Sequence, residues 1–141
     1  MSGLLADRPG LVVALVESGY PELEFWYPVL RLRELGAEVF IAGPSRDQTY
    51  YSRLGYPVIP DGDLADANNR EPDVLIVPGG DTGQKLASSE PFPELVRGQT
   101  SRGSLVAVTG EPGDLESAIS CPTPDDLPAF VPALLKALGR Q

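Results

Sequence analysis

Leu11-Val-Val-Ala-Leu-Val16 decides the fold. This uninterrupted apolar run is bounded by Pro9-Gly10 on one side and by Glu17-Ser18-Gly19 on the other. A half-exposed strand would alternate apolar and polar residues; a continuous run reads as a strand covered on both faces, as in a parallel sheet. Comparable runs follow at Glu38-Val-Phe-Ile-Ala-Gly43, Asp73-Val-Leu-Ile-Val77 and Ser104-Leu-Val-Ala-Val108. Helix-like segments lie between them. The order β-α-β, an excursion, then β-α-β predicts an α/β fold with an open, mostly parallel sheet and helices on both sides.

The connecting segments carry their own signals. Pro21 to Leu35 reads as the first helix, with Pro-Glu at its start and Gly36 at its stop. At helical spacing its apolar residues form two stripes, Phe25, Val29, Leu32 and Leu35 on one side, and Leu23, Trp26, Tyr27 and Leu30 on another. Glu24 and Arg31 divide them along one flank and Arg33 along the other. A helix lying on a sheet needs one stripe. The second, with its Trp and Tyr, predicts a neighbour, either a second copy in a homodimer or the last helix of the same chain. Pro28 should kink this helix. Thr49 to Pro60 reads as a small hairpin turning near Leu54-Gly55. Asp61 to Pro72 is turn-rich with one helical turn near Leu64 to Ala67, and Gly83 to Gly98 is helical but interrupted by prolines. Thr123-Pro124-Asp125-Asp126 opens a final helix reaching toward Leu138, since it offers an N-cap, a proline at N1 and acids in the first turn.

Composition limits the chemistry. The chain has 141 residues, no histidine and one cysteine, and it carries a formal charge of -9. That length fits one domain, residues 1–141. Without histidine there is no Ser-His-Asp or Cys-His relay and no His-ligated metal. A lone cysteine forms no intrachain disulfide and no paired-cysteine zinc site, which fits a reducing cytoplasm. The negative charge opposes binding to nucleic acid and to anionic membranes. No apolar run approaches the ~20 residues of a membrane span, and residues 1–10 lack a signal-peptide apolar region. No metal and no cofactor is expected. The missing G-x-G-x-x-G and phosphate-loop patterns leave a nucleotide site unsupported.

Ligands of open parallel sheets bind beyond the carboxyl ends of the strands. Glu17-Ser18-Gly19, Pro78-Gly79-Gly80-Asp81 and Thr109-Gly110-Glu111 should converge there. Gly79, Gly80 and Asp81, leading into a helix, offer backbone N–H donors for an anion, with Thr109 and Gly110 across from them. The same two glycines also serve simply as a tight strand-to-helix turn. Glu17 and Glu111 are candidates for a carboxylate pair sharing acid and base roles, although ordinary solvated carboxylates at strand ends are the commoner arrangement. Cys121 precedes a helix start, where thiol pKa values fall, so it is a candidate nucleophile or thiol sensor; a buried, inert cysteine is the alternative.

Taken in order, several words of the sequence resemble one family. They are Val12-Val-Ala-Leu-Val-Glu17, Glu24-Phe-Trp-Tyr-Pro28, Leu32-Arg-Glu-Leu-Gly-Ala-Glu-Val39, Gly55-Tyr-Pro-Val58, Asp73-Val-Leu-Ile-Val-Pro-Gly-Gly80 and Thr123-Pro-Asp-Asp-Leu-Pro-Ala-Phe130. The chain resembles the ThiJ/PfpI family of the class I glutamine amidotransferase-like superfamily. The resemblance implies a flavodoxin-like three-layer sandwich, here with about five strands, and frequent dimerisation. It also implies a cysteine on an elbow after the strand at Leu105 to Val108, a histidine after it, and a glutamate near the first helix that touches the cysteine. Aligned by position, the elbow cysteine falls at about Gly110 and the histidine at Glu111. The glutamate falls at Pro21, with Glu17 as a possible substitute. All three groups are therefore expected to be missing.

The family's segment after the elbow is also shortened, which should leave apolar sheet surface uncovered. The resulting expectation is a non-catalytic domain that binds a small ligand or a protein partner. The alternatives are a cofactor-free hydrolase, lyase or hydratase using Glu17 and Glu111, and a thiol sensor using Cys121.

Overall fold

The computed structural model describes residues 10–111 and 119–138. Its central strand is β1 (Leu11–Leu15), flanked by β2 (Glu38–Gly43) and β6 (Val74–Pro78). Val13 lies opposite Phe40 on one side and Leu75 on the other. β7 (Leu105–Thr109) continues the sheet beyond β6, and β8 (Ile119–Cys121) closes that edge. At the other edge, β5 (Gly62–Asp63) pairs with Ala42 and Gly43 of β2. The order is β5-β2-β1-β6-β7-β8, with every neighbour parallel. The sheet thus has six strands. The one beyond the expected five is β5, two residues inside the segment whose composition reads as turn.

Strand alternation gives each face its own core. Val12, Ala14, Val74 and Ile76 point to one side, where they meet Phe25, Val29 and Leu32 of α1 (Glu22–Glu34) and Phe130, Val131 and Leu134 of α5 (Leu127–Ala137). Val13, Leu15, Leu75 and Val77 point to the other side. They meet Leu64 and Ala67 of α2 (Leu64–Arg70), Leu86 of α3 (Gly80–Ala87), and Phe92 and Leu95 of α4 (Pro91–Ser101). Three layers result, as the apolar runs and the resemblance imply. β7 is covered as well, Ala107 toward the first core and Val106 and Val108 toward the second. The expectation of uncovered sheet next to the shortened segment is therefore wrong for β7. α5 lies on one face and α4 belongs to the layer on the other.

Local chemistry matches the element starts. Pro21 sits at the N-cap of α1 in extended backbone, Glu22 and Glu24 occupy the first turn, and Arg31 and Arg33 the last, so both ends complement the helix dipole. Asp63 and Asp66 form a reciprocal capping box at α2, and Thr123 and Asp126 form another at the 3₁₀ turn Pro124–Asp126 that precedes α5. The hairpin appears as β3 (Tyr50–Tyr51) and β4 (Pro57–Val58), antiparallel and outside the main sheet. The long helical zone divides into α3 and α4, with Pro91 opening the second. Leu35 departs from expectation. It leaves helical geometry as the C-cap and is 39% exposed, so the buried stripe ends at Leu32. Of the anticipated strand from residue 116 or 117 to Cys121, the portion before residue 119 lies outside the described residues.

Candidate functional site

The carboxyl ends of β1, β6 and β7 meet at Gly110, where β7 ends and the chain turns with φ +82°. That conformation suits glycine, because an L side chain there crowds its own backbone. A Cβ built on Gly110 would stand 3.7 Å from Oε1 of Glu24. Gly110 is thus the elbow, and the side chain facing it is the Glu24 carboxylate in the first turn of α1. The sequence expectation that this glutamate falls at Pro21, or at Glu17, is corrected: Glu24 stands there. Burial pushes the Glu24 carboxyl above its ordinary range, with the charge of Arg53 opposing in part.

Glu24 shares a narrow cleft with Tyr20, Pro21, Phe25, Pro78 and Thr109, whose free interior of ≈ 10 Å³ holds about one water molecule. Tyr20 is fully buried; its hydroxyl donates to the Tyr56 carbonyl at 3.0 Å and accepts from Trp26 Nε1 at 3.3 Å.

The glycine pair is committed elsewhere. Gly79 N–H donates to the Thr109 carbonyl at 2.6 Å, and Gly80 N–H donates to the Glu111 carbonyl at 2.8 Å. A Cβ on Gly79 would meet that same Glu111 carbonyl oxygen at 2.1 Å, so the loop after β7 lies directly on the glycines. The anion cradle expected from Gly79 and Gly80 is filled by the chain's own carbonyls. Asp81 is exposed in the first turn of α3.

Glu17 and Glu111 are not brought together as a pair. Glu17 Oε1 accepts from Ser18 N–H at 2.7 Å and its charge is felt by Tyr50, whereas Glu111 is exposed and contributes its carbonyl to Gly80. Cys121 is fully buried beside Thr109 in the β7–β8 pairing, and its Sγ–H donates to the Thr123 carbonyl at 3.3 Å. Burial, reinforced by the charges of Asp126 and Glu24, pushes the thiol up to about 11. The fall in pKa anticipated from the nearby helix start does not occur, because desolvation outweighs it.

On the outer face of α1, Leu23 and Leu30 are 56% and 55% exposed. Trp26 and Tyr27 are half-buried and pack against the first core. Trp26 stacks edge-on against Phe25 and Tyr56. The second stripe is thus partly satisfied within the chain, and its free portion is Leu23 and Leu30. Among the described residues no group of His, Cys, Asp or Glu could hold a metal ion, and no helix is long and apolar enough to cross a membrane.

With an elbow and a facing glutamate in place, comparison with known proteins is decisive. The model of the DJ-1/PfpI family matches residues 11–111. The chain belongs to the DJ-1/PfpI family. A deglycase from Pyrococcus horikoshii is 33% identical over 96 residues, 68% of this chain and 57% of that protein. A glutathione-independent glyoxalase from Caenorhabditis elegans is 34% identical over 71 residues, 50% of this chain and 38% of that protein. A crystal structure of a DJ-1 superfamily protein from Salmonella typhimurium superposes with a TM-score of 0.81 at 16% identity, covering 93% of this chain and 91% of that one. That likeness shows the fold. The chain spans about half the length of the relatives it matches in sequence.

Proposed function

We propose that this chain is a DJ-1/PfpI domain that has given up thiol chemistry and acts by association. The observation that carries the reading is the elbow: Gly110 places no side chain in front of Glu24, and the only cysteine is buried one strand away with its thiol held protonated. The neighbouring amides of Gly79 and Gly80 are already bonded, and the cleft has room for about one water molecule.

The surface that remains for association is the outer stripe of α1. Leu23 and Leu30 expose more than half of their surface, and Glu22, Trp26, Leu30 and Tyr56 line an apolar depression. Exposed apolar surface of this kind marks interaction sites. We assign it to a second copy of this chain in a homodimer, working in the reducing cytoplasm that a single free thiol suits. Light scattering tests this reading. A dimer mass that falls to the monomer value in Leu30→Glu supports it, and a monomeric parent protein overturns it.

One observation favours a second reading, carboxylate catalysis. Glu24 has its carboxyl pushed upward by burial beside an empty elbow, which is the environment of a general acid or base. It now replaces Glu17 and Glu111 as the residue to test. Turnover of glyoxal, the substrate class in the name of the Caenorhabditis elegans relative, would support it if lost in Glu24→Gln.

A further inference from the structure

A second depression is lined by Gly19, the chain neighbour of the Tyr20 that lines the Glu24 cleft. It is wide, with ≈ 570 Å³ of free space, and it is walled by the loop after β1, the hairpin turn and α3. Ser18, Arg53, Thr82 and Lys85 line it, together with Asp81 and the polar side chains of Gln84 and Ser88. In a chain of net charge -9, two cations lining one depression stand out against the background.

Neither cation is held in a direct ion pair, although the charge of Arg53 reaches the carboxyls of Glu22 and Glu24. Arg31, Arg46 and Arg70 have carboxylate partners within 4.0 Å among the described residues, while Arg53 and Lys85 have none. Lys85 is nevertheless positioned. Its Nζ donates to the Ser18 carbonyl at 3.1 Å, and it lies 3.6 Å from where a Gly19 Cβ would sit. Gly19 adopts φ +89°, so the loop is free of side chain just where the ammonium rests. Thr82 Oγ1 donates to the Gly19 carbonyl at 3.5 Å and Ser18 Oγ accepts from Tyr51 N–H at 3.4 Å, which fixes loop, helix and hairpin around the opening. One carbonyl leaves an ammonium two further donors, and a guanidinium brings a planar fork suited to oxyanions.

We propose that the depression between Arg53 and Lys85 binds a small oxyanion, a phosphoryl or carboxylate group carried by a hydroxylated small molecule. The two cations hold the anionic group, and the Ser18 and Ser88 hydroxyls and the Asp81 carboxylate are available to the hydroxyls. This site is distinct from the association reading, because Leu23 and Leu30 take no part in it, although the charge of Arg53 also reaches Glu22 and Glu24.

Titration with inorganic phosphate and with lactate, followed by backbone amide NMR at low salt, tests the proposal. The expected result is saturable shifts at Ser18, Gly19 and Thr82, a tenfold or greater loss of affinity in both Arg53→Ala and Lys85→Ala, and parent-like affinity in Arg97→Ala. Tighter binding of phosphate than lactate would identify the phosphoryl source, and the reverse order the carboxylate. Shifts spread over the surface, or equal affinity in all three variants, would overturn the proposal. Circular dichroism confirms that the exposed-residue variants remain folded. Light scattering separates this result from the dimer reading, since Leu30→Glu should bind phosphate as the parent does.

Discussion

The Glu24 carboxylate faces Gly110 across a gap of 3.7 Å, measured to the point where a Cβ on Gly110 would stand. A carboxyl in the first turn of the first helix therefore confronts an elbow that offers it no side chain. Installing one is informative. Gly110→Cys should yield a folded protein less stable than the parent by about 1–2 kcal/mol, because a side chain enters a left-handed backbone conformation. Iodoacetamide under native conditions should then add one carbamidomethyl group to the variant and none to the parent. Equal labelling of both proteins by mass spectrometry would show that Gly110 is not the exposed elbow.

The parent thiol supplies the control. Cys121 is fully buried and its thiol is pushed up to about 11, so thiolate is scarce at pH 8. Its reaction with Ellman's reagent should be at least a hundredfold slower in the native protein than in urea-unfolded protein. A native rate matching the unfolded one would restore the sensor reading.

Two glutamates two positions apart should respond to pH in opposite senses. Ser52 and the Leu54 amide donate to the Glu22 carboxylate and lower its pKa, so its stabilisation is present above the unfolded carboxyl pKa of about 4.3 and lost as pH falls through the folded value. Burial raises the pKa of Glu24, so ionising it weakens the fold as pH climbs above about 4.3. Urea midpoints at pH 7 should therefore fall in Glu22→Gln and rise in Glu24→Gln. Both differences should shrink toward zero below pH 4. A Glu24→Gln variant less stable than the parent at pH 7 would contradict the burial assigned to this carboxyl.

The adjacent glycines at the β6 end should differ for steric reasons. A Cβ on Gly79 would stand 2.1 Å from the Glu111 carbonyl oxygen, whereas one on Gly80 meets nothing within 4 Å and suffers only from φ +62°. Gly79→Ala should cost about 3 kcal/mol or more, since backbone must move. Gly80→Ala should cost about 1–2 kcal/mol. Equal urea midpoints for the two variants would mean that the β7 loop does not rest on Gly79.

How much of this was legible in the residues follows from what each feature depends on. β1, β2, β6 and β7 announce themselves because a strand buried on both faces must be apolar throughout. β5 does not, since Gly62 and Asp63 join the sheet through backbone pairing alone and their side chains signal a turn. Glu24 carries a local signal only as a polar divider between two apolar stripes. Its meeting with Gly110 depends on α1 packing over the sheet and on β1, β6 and β7 lying side by side, which no local spacing encodes. The expected pairing of Glu17 with Glu111 has the opposite weakness. Both sit at strand ends, but the bond from Glu17 to Ser18 and the carbonyl of Glu111 against Gly80 give each a separate task. In sequence the glycine pair offers free donors because no acceptor is visible beside it; the acceptors are the carbonyls of Thr109, at the end of β7, and of Glu111 just beyond it.

The central claim is that Glu24 faces an elbow without inherited chemistry. The most direct test is a steady-state assay of glyoxal consumption by the purified parent protein and by Glu24→Gln. The structure predicts that neither consumes glyoxal above the rate in buffer. Consumption by the parent that disappears in Glu24→Gln would contradict it.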